Sequence, residues 1–453
     1  MTADTSHTPG PITPARATRI QLLDFRSAPM RAFHVTWVSF FLCFFAWFGV
    51  APLMAVIRSE LGLTDAQVKN TIIASVAITI VARLIVGALC DRLGPRRTYA
   101  GLLVLGSLPV MGIGLATSYE TFLIFRLMIG VIGASFVITQ FHTSLMFAPN
   151  VVGTANATTA GWGNLGGGVT QMVMPLVFAA FLALGFGEFY SWRLSMGLAG
   201  GVCLLAALAY LKLTQDTPEG NYAALRALGR LAPARSTKGS FRAVCRDPRV
   251  WALFLIYGAC FGIELTINNM AALYFTDRFG LGLATAGLVA SLFGLMNLFA
   301  RTLGGLFGDR FGIKYGLRGR VLWLFATVLC EGLLLMLFSQ MSVLPLAIAA
   351  MVLFSLFVQM SEGATYSVVP FVNKRALGSV SGIVGAGGNF GAVMAGFLLK
   401  SFDGWSTGLF VLGALVTVVA FCALAVRFSE VEERESSAEA LPATAPQVAA
   451  AGG

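Results

Sequence analysis

Twelve apolar runs, each long enough to cross a lipid bilayer, dominate this sequence of 453 residues. A transmembrane helix needs about 20 mainly apolar residues, and a bilayer admits helices because they satisfy their own backbone hydrogen bonds. Hydrophobic residues make up 57% of the chain and charged residues only 11%, more apolar surface than a water-soluble fold of this size can bury. We therefore predict an all-α polytopic membrane protein with twelve transmembrane helices. The runs cover 34–57, 70–90, 97–117, 121–146, 157–184, 192–213, 250–275, 284–308, 319–340, 343–369, 377–401 and 405–428.

The basic residues are distributed unevenly about these spans. Of the 31 lysines and arginines, 23 lie in the tails and loops on the side of both chain termini, and only five lie near the opposite face. This is the positive-inside pattern, so we expect both termini to be cytoplasmic. The net charge of +10 then reflects membrane topology and not nucleic-acid binding. The expected location is a plasma membrane, in particular a bacterial inner membrane.

A polar interruption divides the spans six and six. We predict a cytoplasmic tail over 1–33, six-helix bundles over 34–213 and 250–428, a cytoplasmic linker over 214–249 and a disordered cytoplasmic tail over 429–453. The seven cysteines form no CxxC motif and have no histidine cluster beside them, so we expect neither disulfides nor a metal site, and no cofactor.

Two motifs occur once in each half of the chain. "RLIVGALCDRLG" (83–94) returns as "RTLGGLFGDRFG" (301–312), with Arg, Gly, Asp, Arg and Gly in the same register. "GWGNLGGGV" (161–169) has its counterpart in "GAGGNFGAV" (385–393). Repeated six-helix halves are typical of transporters whose substrate site lies at the bilayer midplane between them.

These motifs resemble those of a known family. The Asp-Arg segments are similar to the cytoplasmic loop signature of the major facilitator superfamily, and the glycine-rich segments resemble the paired signatures of its nitrate–nitrite porter family. "YGACFGIELTINN" (257–269) and "PFVNKRALGSVSGIVGAGGNFG" (370–391) are similar to the nitrate-uptake branch. The resemblance covers nearly all spans and implies the major facilitator fold with two pseudo-symmetric bundles. It also implies gating roles, against the alternative of ordinary loop charge, for Asp91, Arg92, Asp309 and Arg310.

Two arginines stand inside predicted spans at equivalent places. Arg83 and Arg301 each precede the loop Asp by eight residues, about 12 Å along a helix, and so lie near the midplane. A charge there costs at least ~2.5–3.5 kcal/mol, so something must compensate it. Nitrate is planar with three acceptor oxygens, and two guanidinium forks could clamp it in its plane. The alternative is a buried carboxylate partner, for which the spans offer Glu264, Glu331 and Glu362.

One face of the seventh span carries further candidates. Tyr257, Phe261, Glu264 and Asn268 follow a 4, 3, 4 spacing, and a helical face with Glu and Asn should line a cavity. The resemblance implies that Tyr257 donates a hydrogen bond to substrate and that Phe261 sandwiches the planar ion together with Phe136. Simple packing is the alternative for both phenylalanines.

The glycine motifs provide close helix contacts. Glycines four residues apart leave a smooth groove for a neighbouring helix, and such runs also suit a helix that bends. The pairs are Gly163 with Gly167, and Gly387 with Gly391. Each groove holds an asparagine. Asn164 resembles a family residue near substrate, whereas Asn389 either joins it there or hydrogen-bonds the neighbouring helix.

Uptake of an anion into a negative-inside cell is opposed by about 2.3 kcal/mol per 100 mV, so it needs a coupled ion or exchange. We predict a nitrate importer, with nitrite as a second substrate, working by proton symport with Glu264 as the proton carrier. The alternatives are a structural role for Glu264, nitrate/nitrite antiport, and a non-transporting nitrate receptor. The chain contains no nucleotide loop or nucleophile–base constellation, so we predict no enzyme activity. We expect it to work as a monomer in the lipid bilayer. Arg126, in "FRLMIGVIG", resembles a structural and coupling motif of the superfamily.

Overall fold

The computed structural model describes residues 16–230, 237–281, 283–402 and 404–440. In these ranges the chain is helical, with two isolated β-bridges and several short 3₁₀ turns. The helices are α1 (Ala28–Phe48), α2 (Met54–Leu61), α3 (Asp65–Leu93), α4 (Pro95–Gly112), α5 (Tyr119–Ile129), α6 (Ser135–Met146), α7 (Val152–Ala183), α8 (Glu188–Leu213), α9 (Tyr222–Ala227), α10 (Thr237–Arg246), α11 (Pro248–Phe279), α12 (Leu283–Leu295), α13 (Ala300–Ser339), α14 (Leu344–Val368), α15 (Leu377–Lys400), α16 (Trp405–Ala420) and α17 (Glu430–Ala440).

The long helices match the predicted spans. Ten helices of the described chain are long and apolar enough to cross a membrane, or eleven if the bent α7 counts as one span. One of them, Leu288–Ser339, has 52 residues, which at 1.5 Å per residue is more than twice the hydrocarbon thickness of about 30 Å. It therefore holds the eighth and ninth predicted spans, which join at Gly316, where φ is +69°.

Local sequence fixes where the second span begins. Gly62 follows the last residue of α2, and its left-handed φ of +61° suits a residue without a side chain. Two residues later a capping box opens α3, because the Thr64 hydroxyl accepts from the Gln67 amide while the Gln67 side chain accepts from the Thr64 amide. This tight connection sets the direction of the helix that carries Arg83.

The two halves of the chain meet along two helix pairs. α3 of the first half packs against α15 of the second, and α7 packs against α13. Within each half, the helix with the glycine motif packs against the first long helix, α7 against α1 and α15 against α11. The first motif's Arg83 and the second motif's Arg301 thus lie on helices that face the opposite half.

Two predicted polar segments contain helices. The linker 214–249 includes α9 and α10, with 231–236 outside the described residues. The prediction of disorder is wrong for 430–440, which form α17, and 441–453 lie outside the described residues. Specific contacts explain this order: Glu433 accepts from the amides of Leu317 and Arg318 at 2.7 and 3.0 Å, and Glu432 pairs with Arg249 at 2.9 Å. Composition alone does not reveal such contacts.

Candidate functional site

Arg83 is completely buried on α3 and has no carboxylate partner among the described residues. Its Nε donates to the carbonyl of Gly133 at 3.3 Å, and its Nη1 donates to the carbonyl of Gly385 on α15. Its Nη2 has no hydrogen-bond partner within the described chain. A buried guanidinium that is only partly satisfied is costly, so this position is suited to receiving an anion.

Arg301 is also completely buried but is held differently. Its Nη1 forms an ion pair with Glu362 on α14, and its Nη2 donates to the Tyr257 hydroxyl at 2.9 Å. Glu264 lies 3.8 Å from the same Nη1. The expectation that a transported anion neutralises both arginines therefore needs correction, because Glu362 already neutralises Arg301. Glu362 was one of three candidate carboxylate partners in the sequence, and the sequence could not select it because no spacing rule links α13 to α14.

The two arginines flank the same aromatic ring. The guanidinium carbons of Arg83 and Arg301 lie 5.1 and 5.4 Å from the centre of the Phe136 ring, and that of Arg83 lies 5.0 Å from the Phe261 ring. The positive charges thus face the negative ring surfaces, a favourable arrangement in a dry site. The two arginines, predicted to face each other between the halves, are brought together around Phe136.

Aromatic side chains close the remaining faces. The rings of Tyr257 and Phe261 are stacked 5.2 Å apart, and Phe136 is parallel to both. Tyr366, four residues after Glu362, packs edge-on against Phe136 at 4.9 Å. Tyr366 was not among the predicted site residues, although its helical spacing from Glu362 places both on one face.

The predicted aromatic slot is narrower than a planar ion needs. The ring centres of Phe136 and Phe261 are 5.8 Å apart, whereas an ion between two ring faces needs about 7 Å, twice the usual contact distance of about 3.5 Å. The two phenylalanines stack on each other here, and a sandwich would require them to separate. The slot stays a prediction.

Glu264 lies between Arg301 and a cavity. Its carboxylate accepts from the amide of Asn164 at 3.1 Å and from that of Asn297 at 2.6 Å. It is 2% exposed. Asn268, on the same helical face, lines the cavity, as the spacing predicted. Asn297 was missed because it follows α12 in a 3₁₀ turn, where helical periodicity gives no signal.

The cavity has a volume of 350 Å³ and lies toward the end of the helix bundle that is opposite the chain termini. It is lined by the ends of α1 and α3 nearest that face and by residues of α5, α7, α11 and α12. Glu264, Asn164 and Asn297 all line it, whereas Arg83 and Arg301 do not. The three polar side chains therefore form a layer between the cavity and the arginines, and we call them the Glu264 layer.

Asn389, the asparagine of the second glycine motif, hydrogen-bonds a neighbouring helix, which was one of its two predicted alternatives. The Asn389 amide on α15 donates to the Val76 carbonyl on α3 at 3.2 Å, so it links the two halves. Its side-chain oxygen has no partner within the described chain. Neither Asn164 nor Asn389 contacts an arginine of the site in this conformation, so their substrate contacts remain predictions.

The glycine pairs lie at close helix contacts. A Cβ at Gly163 would overlap the Phe40 ring of α1, and one at Gly391 would overlap the carbonyl of Gly258 on α11. At Gly387 it would overlap a carbonyl of α11 as well, while at Gly167 it would lie 3.3 Å from a ring of α1. Each motif thus joins two helices of its own half. The hinge role is a separate prediction.

At the end with the termini, each loop aspartate binds a helix N-terminus of the other half. Asp91 accepts from the amides of Gly378 and Ser379, at 3.1 and 3.0 Å, and from the Ser379 hydroxyl at 2.9 Å. Asp309 accepts from the amides of Gly153 and Thr154, at 3.1 and 2.6 Å, and from the Thr154 hydroxyl at 2.7 Å. A carboxylate at a helix N-terminus is favourable because unpaired amides and the helix dipole meet there.

The motif arginines have a different environment. Arg92 and Arg310 are exposed, and the cation beside Asp309 is the buried Arg320, at 2.6 Å. The expectation that the motif arginines share the gating contacts is therefore corrected for this conformation: the aspartates cross between the halves. The reason is chemical, since the opposing amides are hydrogen-bond donors that a carboxylate accepts, whereas a guanidinium has no acceptor.

Comparison with known proteins identifies the family. Residues 36–382 match the model of the Major Facilitator Superfamily. The chain belongs to this superfamily. It is 41% identical over 403 residues to High affinity nitrate transporter 2.5 of Arabidopsis thaliana, covering 88% of this chain and 80% of that protein. It is 31% identical to the Nitrate/nitrite transporter NrtP of Nostoc punctiforme, covering 80% and 85%.

These relatives place this superfamily member in the nitrate–nitrite porter family, as the sequence motifs predicted. The solved structure of the proton:xylose symporter XylE, only 15% identical, superposes with a TM-score of 0.67 over 90% of this chain and 98% of that chain, which shows the common fold. The predictions of the major facilitator fold and of a multi-pass transporter are confirmed. The prediction that the chain is not an enzyme is confirmed too, because its family consists of transporters.

Proposed function

We propose that this chain imports nitrate across the plasma membrane by alternating access, driven by protons, with nitrite as a second substrate. Relatives at 31–41% identity are named for nitrate or for both anions, which supports this substrate class. The observation that carries the proposal is Arg83. It is a completely buried guanidinium without a carboxylate partner among the described residues, next to a second, neutralised guanidinium.

The charge balance of the site favours a single negative guest. Arg83 and Arg301 contribute two positive charges and Glu362 one negative charge, so the inner cluster has one positive charge in excess. Nitrate would neutralise this excess. A guanidinium has five N–H donors, and the two carbonyls bound to Arg83 occupy only part of them. The remaining donors suit a planar ion with three acceptor oxygens.

Glu264 supplies a reason for proton coupling. When it is ionised, the charges of Arg83, Arg301, Glu362 and Glu264 cancel, and an incoming anion would make the site negative. When it is protonated, the site has a positive charge and accepts nitrate. The proton and the anion therefore favour each other's binding. Among the described residues, the charged groups that contact Glu264 are Arg301, at 3.8 Å, and Glu362.

The distribution of basic residues indicates how the chain is oriented in the membrane. Most lysines and arginines lie at the end with the termini, so we propose that this end is cytoplasmic. The 350 Å³ cavity then opens toward the outside, and the two aspartate contacts close the cytoplasmic side. In this arrangement nitrate would enter past the Glu264 layer and leave after the Asp91 and Asp309 contacts break.

Flux in proteoliposomes tests the proposal. Purified protein is reconstituted, and nitrate uptake is measured with an imposed pH gradient, with and without trapped nitrite. We expect uptake driven by an acidic exterior without internal nitrite. Uptake that needs trapped nitrite would establish antiport instead. Nitrate binding without any flux would indicate a receptor.

Substitutions test the named residues. Arg83→Lys and Arg301→Lys retain the charge but lose the fork, and each should abolish most uptake. Arg193→Lys is the matched control, since Arg193 binds Glu60 and three carbonyls away from the site. Glu264→Gln should flatten the pH dependence of uptake. Wild-type flux in either site variant, or an unchanged pH profile in Glu264→Gln, contradicts the proposed role.

A further inference from the structure

Arg126 is a third buried arginine, and it lines the 350 Å³ cavity. Its side chain, on the last turn of α5, is 6% exposed. Among the described residues that line the cavity, the charged ones are Arg126 and Glu264. The site formed by Arg83 and Arg301 does not use this residue.

The contacts of Arg126 leave most of its hydrogen-bonding capacity unused. Its Nη1 donates to the Trp47 carbonyl near the end of α1, over a long 3.3 Å. Its Nε is buried and has no partner in the described part of the chain. No described carboxylate lies within ion-pair distance of it. A structural role as a cap for α1 explains one donor of five, and the others remain for a ligand.

We propose that Arg126 forms an anion-capture site in the outer cavity, which holds a small monovalent oxoanion before it reaches Arg83 and Arg301. The inference rests on the proposed function, since it assigns a step on the path of the same anion. The cavity is large enough for such an ion with part of its water shell. Gln171 and Asn268 line the same cavity and provide amide donors for it.

Electrostatics explains why the cavity needs a positive charge. An ionised Glu264 at the base of the cavity repels an approaching anion, so the cavity without Arg126 would exclude the ion it must admit. A cation in a low-dielectric cleft raises the local anion concentration and the rate of association. Arg126 thus retains the anion in the cavity until Glu264 takes up a proton.

Transport kinetics distinguish capture from a structural role. In Arg126→Gln we expect the KM for nitrate to rise about tenfold, the value of one charge-assisted hydrogen bond, with kcat within about twofold of wild type. The decrease of kcat/KM with rising salt should also weaken. Arg278→Gln, an exposed arginine at the same end, is the control and should leave KM unchanged. A folded Arg126→Gln protein with wild-type KM and wild-type salt dependence overturns the proposal.

A second variant covers the case in which Arg126→Gln does not fold. Arg126→Lys retains a charge and a donor for Trp47 but loses the fork, so KM should rise about threefold, less than for loss of the charge. An unchanged KM in this variant likewise overturns the proposal.

Binding separates this inference from the transport proposal. In an Arg83→Gln background, the thermal unfolding temperature is measured against added nitrate, with gluconate at equal ionic strength as reference. We expect a nitrate-dependent rise that disappears in Arg83→Gln/Arg126→Gln. If the wild type shows no flux but this rise is present and depends on Arg126, the capture site stands and the transport proposal fails. If the wild type transports nitrate and the rise is identical in both variants, the capture site is refuted.

Discussion

Replacing each site arginine by glutamine should have unequal effects on folding, because only Arg301 neutralises a buried carboxylate. Glu362 is completely buried and forms an ion pair with Arg301. Arg301→Gln leaves this carboxylate without its counter-charge. Removing one partner of a buried ion pair costs about 3–5 kcal/mol. Arg301→Gln should therefore lose that amount of stability.

Arg83→Gln removes a charge that no described carboxylate balances. It leaves the carbonyls of Gly133 and Gly385 with weaker hydrogen-bond partners, which lowers the free energy of unfolding by about 1–3 kcal/mol. It also removes the desolvation penalty of burying the cation, which acts in the opposite direction. The net loss of stability should be smaller than for Arg301→Gln. The double variant Arg301→Gln/Glu362→Gln should recover most of the stability, because no unpaired charge remains.

Thermal and denaturant unfolding in one detergent at pH 7 measures all four proteins, and reconstituted uptake follows for those that fold. We expect the stability order to be wild type, then Arg83→Gln and the double variant, then Arg301→Gln. None of the variants should transport nitrate. Equal destabilisation by the two single substitutions, or no recovery in the double variant, would refute the idea that Arg83 is the unpaired charge.

Three further changes test packing, gating and pH. Gly391→Ala should destabilise by about 1–3 kcal/mol, because its Cβ would overlap a carbonyl of α11, while Gly396→Ala on the same helix has open space and should be neutral by thermal unfolding. Asp91→Asn and Asp309→Asn should each favour separation of the halves at the termini end by about 1–3 kcal/mol, measured by distances between spin labels. Burial raises the pKa of Asp216, so the folded state binds its proton more tightly than the unfolded state does. Its contribution to stability therefore falls as pH rises from about 4, and Asp216→Asn should gain on wild type between pH 4 and 7, measured by unfolding at each pH.

The sequence predicted those features that depend on periodicity or repetition. The apolar runs gave the spans, and the repeated motif placed Arg83 and Arg301 at matching depths. The spacing along α11 put Tyr257 and Glu264 on one side, and both do contact Arg301 or lie within 4 Å of it. These predictions succeeded because they concern neighbours on one helix or equivalent positions in two repeats.

Contacts between different helices were not predictable from periodicity or repetition. The pair of Arg301 with Glu362, the bond of Asn297 to Glu264 and the position of Tyr366 all depend on how α11, α12, α13 and α14 pack. A single sequence contains the residues but not the angles between helices. α17 was unpredictable for the same reason. Its acidic composition is typical of a solvated tail, but its Glu433 side chain accepts hydrogen bonds from amides of α13.

The shared ring of Phe136 links the chemistry to motion. Phe136 and Arg83 belong to the first half, whereas Phe261 and Arg301 belong to the second, so the ring stack and the bond from Arg83 to Gly385 all cross between halves. A rocking motion of one half against the other would change these contacts. Under the proposed function, the affinity for the anion therefore differs between arrangements of the halves. Such a difference in affinity between states is what allows a ligand to bias a conformational equilibrium, and it turns a binding site into a carrier.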